Sequence, residues 1–383
     1  MKLAIIGAGA SGLFIASYLK RKYNNLDITI YERNKGLGRK LLASGNGKCN
    51  FMNYKAIPDD YNNPNFVRNI FNICKKEDVL NYFQSLGLMF KFDDEGRMYP
   101  ISESSETILK LFSLDLKDTK VLLETTVSSI KYVDGKVLIN DSDYYDYCVL
   151  ATGSNAGIDE KKIDSTYSYL KPLNLKMVPL KSSLVGFKSK ENLKTLFGYR
   201  SKAMVTYYEN DIPVYKESGE IIFKNDGISG ICVMNISHIY NNQDAHLELD
   251  LMQGSSYEEI TYKLNLRKSY NSDPRYYLDG ICHPRMIEYL IKNNILNPED
   301  VAKTLKAFKV TILDTYDFKN AQVLKGGISV DELNNNLSLK KYPNIYATGE
   351  LLDINGKCGG YNLTFAFITA MIVSKDIEEK IWN

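Results

Sequence analysis

Apolar positions fall into two kinds of run in the first 180 residues, and each predicts a different element. Short unbroken runs at Leu3 to Ile6, Ile28 to Tyr31 and Tyr147 to Leu150 suit strands buried on both faces of a parallel sheet, and Ile345 to Ala347 repeats the pattern near the end of the chain. Runs with three- and four-residue spacing predict helices over Ser11 to Lys22, residues 64 to 90, Ser104 to Leu116 and Thr364 to Glu379. In the second of these, Phe66, Ile70, Phe71, Ile73, Val79, Leu80, Phe83 and Leu86 recur until Gly87 closes the run. Phe90 to Phe92 and Arg97 to Pro100 flank a polar turn and read as a hairpin. Val121 to Leu123, Val127 to Val133 and Lys136 to Ile139 read as strands, the last two joined by an Asp134-Gly135 turn.

From Lys181 the pattern changes. Leu184 to Lys188, Ser201 to Tyr208, Val214 to Lys216, Ile221 to Lys224 and His246 to Leu251 alternate with polar turns, as antiparallel strands do. Helices are predicted over Ser255 to Lys268, Pro284 to Asn293 and Pro298 to Phe308, the last with Asn297 as its N-cap. Strands return at Lys309 to Asp314 and Ala321 to Leu324. The expectation is an α/β protein with a nucleotide-binding domain in two segments, 1–181 and 336–383. Residues 182–335 form an inserted β domain carrying a helical cap over about 253–308.

A chain of 383 residues is too long for one small core, which agrees with two domains. A net charge of +2 argues against a strong nucleic-acid or membrane footprint. The apolar start carries three glycines and is too short to span a bilayer, so no targeting segment is read and the cytoplasm is expected. Six scattered cysteines without a C-x-x-C suit reduced thiols, and three dispersed histidines suggest no metal site.

Chemistry enters with the glycines. Gly7, Gly9 and Gly12 form G-x-G-x-x-G between a strand and a helix, and Glu32 ends the next strand twenty residues past Gly12. In a dinucleotide fold the glycines serve the tight turn, the pyrophosphate approach and helix packing, and the acid accepts ribose hydroxyls. The same glycines would also suit a turn in some other βαβ unit. The stretch Gly36 to Asn50 mixes glycines with Arg39, Lys40 and Lys48, which fits a backbone nest for an anion or a solvated loop. Ala151-Thr152-Gly153 and a second Ala-Thr-Gly at 347–349 end two strands, and Gly359-Gly360 precedes a helix whose N–H groups can hold an anion. Asp353 can hold a ribityl or ribose hydroxyl, or cap a turn.

Taken together, these motifs resemble the BaiN-like (YhiN-like) flavoproteins, a family that includes proteins labelled aminoacetone oxidases. The resemblance runs in order through Gly38-Arg39-Lys40, Ser44 to Asn50, Gly96-Arg97-Met98-Tyr99-Pro100, Phe223 to Gly230, Gly349 to Asp353 and Gly359 to Leu363. It implies FAD as cofactor, a two-segment Rossmann-like FAD domain, and an insert that is a β-barrel with a small helical subdomain. It implies a cofactor site made from Gly7, Gly9, Ala10, Ser11 and Gly12, from Glu32 and Arg33, and from Arg39, Lys40, Leu41, Ser44, Gly45, Asn46, Gly47 and Asn50. Val127, Ala151, Thr152, Gly153, Gly349, Glu350, Asp353, Gly359, Gly360, Tyr361, Asn362 and Leu363 complete it. Lys48 stands where the family usually has Arg and Cys358 where it commonly has Thr, and the stretch after Gly153 lacks the family's glycine-rich run.

The expected activity is an FAD-dependent reductase or dehydrogenase of a small organic substrate. No second G-x-G-x-x-G is present, so NAD(P)H is expected to dock only transiently. A flavin-dependent amine or aminoketone oxidase using oxygen is the alternative. An RNA-associated flavoprotein is a third reading, resting on lysines at 161–162, 171, 176 and 181. No acid–base residue stands out; Arg97 and Tyr361 merit testing. Cys49 and Cys358 read as two small residues near the flavin rather than a redox pair.

Overall fold

The structure is a computed structural model that describes residues 1–158 and 167–382. Lys161 and Lys162 lie outside the described residues. The chain divides into two compact units, Met1–Lys181 with Val323–Asn383, and Ser182–Gln322.

The first segment runs β1 (Lys2–Ile6), α1 (Ala10–Lys22), β2 (Asp27–Tyr31), α2 (Arg39–Ala43), β3 (Met52–Asn53), α3 (Pro64–Ile73), α4 (Lys76–Ser85), β4 (Phe90–Phe92), β5 (Arg97–Pro100) and α5 (Ser105–Asp115). It continues through β6 (Lys120–Leu122), β7 (Ile130–Val133), β8 (Lys136–Ile139), β9 (Asp143–Tyr145) and β10 (Tyr147–Leu150), and leaves along β11 (Met177–Ser183). The second unit holds β12 (Phe187–Ser189), β13 (Arg200–Glu209), β14 (Ile212–Phe223), β15 (Gly227–Ser229), α6 (Ile231–Ile239) and β16 (Ala245–Asp250). It ends with α7 (Tyr257–Tyr270), α8 (Pro274–Tyr277), α9 (Pro284–Lys292), α10 (Pro298–Lys306) and β17 (Phe308–Thr315). The chain returns through β18 (Val323–Ile328), β19 (Ser338–Leu339), β20 (Tyr342–Ala347) and α11 (Tyr361–Trp382).

The first unit is built on a sheet of order β19-β20-β10-β1-β2-β6, in which β20, β10, β1, β2 and β6 are parallel. Leu3, Ala4, Ile5, Cys148, Val149 and Leu150 are fully buried, as strands covered on both faces must be. Phe14 of α1 sits among the rings of Tyr82, Phe83, Phe112 and Phe367, 4.8–6.0 Å away, so helices from both segments share one core. The second unit closes β12-β15-β14-β13-β16-β17 into an antiparallel barrel with its own core and the helices α7 to α10. The α/β class, the parallel sheet and the barrel agree with the sequence reading.

Several local expectations are corrected. The helix expected over 64–90 breaks at Cys74 and Lys75, where the extended Lys75 donates its N–H to Asp78 Oδ2 at 3.1 Å and the helix restarts. The glycine-rich loop contains a short helix, α2. Strand β14 runs unbroken across Glu217 to Glu220, where polar residues suggested a gap, because β13 pairs with it throughout. The helix α6 was not expected; its segment Ile-Cys-Val-Met-Asn-Ile-Ser-His-Ile has no polar face because most of it is buried. The second unit stops at Gln322, short of 335, because Ile328, Leu333, Leu337 and Leu339 pack in the core of the first unit.

Candidate functional site

The carboxyl ends of β1, β2, β10 and β20 lie side by side, and the expected cofactor residues gather at that edge of the first unit. Gly7 turns the chain at φ +105°, and a Cβ there would lie 2.4 Å from the Ala151 carbonyl oxygen. A Cβ on Gly12 would lie 2.0 Å from Gly7 O, so Gly12 is needed for the helix to rest on the turn. Gly9 differs: its φ is −85° and its Cβ would meet nothing nearer than 4.0 Å. It is the N-cap of α1, and no side chain caps the helix and no acid occupies its first turn. The leading N–H groups of a helix lack intrahelical partners, so this end is positive and open to an anion.

Glu32 is buried and held in place. Its Oε2 accepts from Ala8 N at 2.9 Å and its Oε1 from Asn34 N at 2.8 Å, which fixes the carboxylate against the glycine turn with acceptor capacity to spare. Arg33 is exposed beside it, and Val127 is buried in the loop before β7 rather than in a strand.

The two Ala-Thr-Gly turns flank the same helix start. Ala151 N donates to Ile6 O at 2.8 Å and Thr348 N to Leu150 O at 3.1 Å. Thr348 Oγ1 donates to Ser11 Oγ at 3.2 Å, and Thr152 Oγ1 shares a hydrogen bond with Tyr169 Oη at 2.8 Å. Beyond Gly153 and Gly349, which both have positive φ, Glu350 accepts from Ser154 Oγ at 2.6 Å and from Lys40 Nζ at 3.0 Å. Lys40 is thus engaged by a carboxylate. Arg39 is exposed, and Leu41 is a core side chain at 1% exposure, so only its backbone is available to a ligand.

The loops at 44–50 and 356–363 interlock. Gly45, Asn46, Gly47 and Cys49 all have positive φ, which coils the first loop tightly. Gly360, at φ +91°, packs so close that a Cβ would lie 2.6 Å from Asn50 Oδ1 and 2.7 Å from the Met52 carbonyl carbon. Asn53 Nδ2 donates to Gly359 O at 2.8 Å, and Tyr61 Oη to Tyr361 O at 2.8 Å. Asn362 closes its own loop, accepting from Gly356 N at 2.9 Å and donating to Gly356 O at 3.1 Å. Leu363 is partly buried against the core, and Ser44 Oγ donates to Leu41 O. Asn50 Oδ1 is buried with no hydrogen-bond partner, an orphaned acceptor that a bound donor would satisfy.

Other candidates resolve into structural roles. Burial pushes the Cys49 thiol up to about 11, against the direction a reactive thiolate needs, and no disulfide joins any two of the cysteines. Arg97 pairs with Asp93 at 2.7 Å and Glu95 at 3.0 Å, and Lys48 pairs with Glu103 at 2.8 Å. His283 caps α9 and stacks on Tyr199, and His246 stacks on Tyr208. Sequence reasoning passed over Ser154, Asn62 and Gly326, which donate to Glu350 and Asp353. The Gly326-Gly327 pair after Lys325 was the available signal. Burial pushes the Asp353 carboxyl up, and its Oδ1 accepts from Gly326 N at 2.9 Å.

The profile of the HI0933-like protein Rossmann domain matches residues 1–376. The chain belongs to the HI0933-like family. It is 30% identical to a 3-dehydro-bile acid delta(4,6)-reductase of Clostridium scindens, over 99% of both chains. It is 25% identical to a ribosomal RNA dihydrouridine synthase of Haemophilus influenzae over 98% of both, and 24% identical to one of Escherichia coli over 97% of both. As the motifs implied, this HI0933-like protein is an FAD-dependent oxidoreductase. The uncapped α1 terminus, the open space at Gly9, the oriented Glu32 and the orphaned Asn50 oxygen fit a dinucleotide cofactor. Among the described residues no helix is long and apolar enough to cross a membrane.

Proposed function

We propose that this HI0933-like protein reduces a carbon–carbon double bond conjugated to a carbonyl, on a small organic substrate. The observation that carries the reading is that full-length relatives bear names for one chemistry on unlike molecules: a delta(4,6)-reductase of a 3-dehydro bile acid, and dihydrouridine synthases. In a 3-oxo-4,6-diene and in a uracil ring alike, a carbonyl polarises the double bond, so hydride adds at the β carbon and a proton at the α carbon. Reduced FAD supplies the hydride, with the protein contributing orientation and electrostatics.

In this reading Gly9, Ala10 and Ser11 seat the pyrophosphate at the α1 terminus, and Glu32 holds the adenosine ribose, with Arg33 and Val127 beside it. Asp353 holds the ribityl chain. The loops 44–50 and 359–363 border the ring, with Asn50 Oδ1 accepting from the cofactor. Arg39, Lys40, Ala151 to Gly153, Gly349 and Glu350 frame the middle. NAD(P)H recharges the cofactor by transient docking, consistent with the single G-x-G-x-x-G. Six cysteines with no disulfide among them suit work in the cytoplasm.

A second reading, reduction of a uridine in ribosomal RNA, is favoured by the names of the two other relatives. The small-molecule reading is preferred because the more similar relative is the reductase and the net charge is only +2. An anaerobic absorbance titration with NADPH and NADH tests the electron donor. The reduced protein is then offered a 3-oxo-4-ene steroid, or ribosomal RNA from a strain lacking this gene. Reoxidation by the steroid with a gain of two hydrogens supports the proposal. A gain of two hydrogens on uridine transfers it to RNA. Reduction of the flavin by aminoacetone, with oxygen consumption and no alkene reduced, would replace it with the oxidase reading.

A further inference from the structure

The β4–β5 hairpin and the segment after β3 enclose a cavity of about 290 Å³, lined by Tyr54, Lys55, Phe92, Asp93, Asp94 and Gly96. None of these residues belongs to the expected FAD set. Gly96 makes the cavity's floor: its φ is +77°, and a Cβ there would lie 2.7 Å from Lys55 Cγ, so only glycine lets the hairpin turn close on residues 53–55. Tyr54 N donates to Gly96 O at 2.8 Å and fixes that closure. Two of the lining residues are open aromatics, Tyr54 at 52% and Phe92 at 70% exposure. Phe90, on the same side of β4, packs towards the core ring of Phe51 at 6.0 Å, which leaves Phe92 outside the core. Both rings therefore offer apolar area that the fold itself does not use.

The charges around the cavity are mostly engaged. Lys55 Nζ donates to Asp94 O at 2.6 Å. Lys76 Nζ donates to Ala56 O at 2.7 Å and lies 5.4 Å from the centre of the Tyr54 ring. Asp93 accepts from Glu95 N and Arg97 N at 3.0 Å and from Arg97 Nε at 2.7 Å. Among the described residues nothing pairs with the Asp94 carboxylate. A simple cation would meet the ammonium groups of Lys55 and Lys76 here. A nucleotide meets a match for each of its parts: rings for the base, an open carboxylate for the ribose hydroxyls, and ammonium groups for phosphate.

The cavity adjoins the turn before α11. Gly96 leads into Arg97, whose Cδ would lie 3.4 Å from a Cβ on Gly359. Asn53 Nδ2 donates to Gly359 O at 2.8 Å and to Glu95 O at 3.4 Å, so one amide ties the hairpin to that turn.

We propose that this cavity is the docking site for the adenosine half of NADH. The proposal rests on the transient NAD(P)H docking of the preceding section and gives it a place and a preferred donor. The chain has no second G-x-G-x-x-G to serve as a separate dinucleotide site. Small-ligand sites span about 300–1,000 Å³, so this one holds a nucleoside and leaves the nicotinamide end free to reach past the Gly359 turn. Tyr54 and Phe92 stack on the adenine. Asp94 accepts from the ribose 2′-hydroxyl and repels a 2′-phosphate, which favours NADH over NADPH.

The test uses the FAD-loaded full chain. Calorimetric titration with ADP-ribose reads the site without turnover, and anaerobic stopped-flow reduction gives the apparent Kd for NADH and the limiting rate. Losing one stacked ring should weaken ADP-ribose and NADH alike, by about 5- to 150-fold in Tyr54→Ala and in Phe92→Ala. The limiting rate should stay within about twofold. Tyr54→Phe and Phe92→Tyr should keep affinity within about threefold. Asp94→Asn should cut the preference for NADH over NADPH at least threefold. Both rings are exposed, so FAD content and melting temperature should hold in every variant. Wild-type affinity for ADP-ribose and NADH in both alanine variants overturns the site and leaves the electron donor standing. ADP-ribose binding that needs Tyr54 and Phe92, without flavin reduction by either dinucleotide, leaves a nucleotide site and sinks the donor. No ADP-ribose binding to wild type overturns the proposal, and tighter binding of NADPH than of NADH overturns the role of Asp94.

Discussion

Gly9 and Gly12 belong to one motif, yet alanine should affect them in opposite ways. At Gly12 a Cβ would lie 2.0 Å from Gly7 O, more than 1 Å inside an ordinary contact, with the Ile5 side chain 3.2 Å away as well. Overpacking of this kind costs about 1–3 kcal/mol, and the rigid turn puts Gly12→Ala at the upper end. In a unit of about 240 residues, about 3 kcal/mol lowers the melting temperature by roughly 6–12 °C. At Gly9 the backbone already suits alanine and the space is open. The small loss from alanine at an N-cap and the entropic gain over glycine offset to within about 0.5 kcal/mol. The added methyl would instead stand where a pyrophosphate must approach. Losing one charge-assisted hydrogen bond there costs about 1.5–3 kcal/mol, or roughly a 10- to 150-fold loss of FAD affinity. Scanning fluorimetry on FAD-stripped protein and a fluorescence titration with FAD read the two effects separately. A Gly9→Ala protein that melts early but binds FAD as tightly as wild type would refute the assignment of this turn to the phosphates.

Three further outcomes are expected. Gly360→Ala should both destabilise the protein and loosen FAD, because φ is +91° and the Cβ meets Met52 backbone at 2.7 Å; melting temperature and flavin content after gel filtration check this. Iodoacetamide at pH 8 should spare Cys49, whose thiol is buried and pushed up to about 11, and label the partly exposed Cys358; peptide mass spectrometry showing Cys49 modified first would contradict this. Lys325 should make stability rise with pH. Its folded value is about 8 against 10.5 for an ordinary lysine, so the unfolded chain holds more protons between those values. The burial cost, about 3 kcal/mol, is fully present below pH 8 and relieved towards pH 10.5. Urea midpoints at pH 7.5 and 10 should therefore rise more in wild type than in Lys325→Met.

What was legible in the sequence was whatever depends on near neighbours. The glycine turn, the acid after β2 and the glycines before α11 are read from spacing alone, because the sterics of a tight turn are local. The helix α6 was missed because burial leaves it no polar face to betray its period. The continuity of β14 depends on β13 holding Glu217 to Glu220 in register, which no window along one strand contains. Lys40 and Glu350 meet across 310 residues, and Gly326 N reaches Asp353 only because two glycines let β18 press inwards. The boundary expected at 335 falls instead at Gln322 for the same reason: residues 323–335 join the first unit through partners distant in sequence.

The division of the parallel sheet between the two ends of the chain has a consequence during synthesis. Strand β10 has β1 on one side and β20 on the other, and β20 is residues 342–347. At about 5–20 residues per second, roughly 10–40 s separate the emergence of β10 from that of β20. Throughout that interval the edge formed by Cys148, Val149 and Leu150 lacks its second partner and can template pairing with another nascent chain. The barrel, by contrast, is encoded without interruption and can fold while the ribosome is still translating. A message broken before codon 342 would therefore yield a sound barrel tethered to a sticky half-sheet, a product that cellular proteases would have reason to recognise.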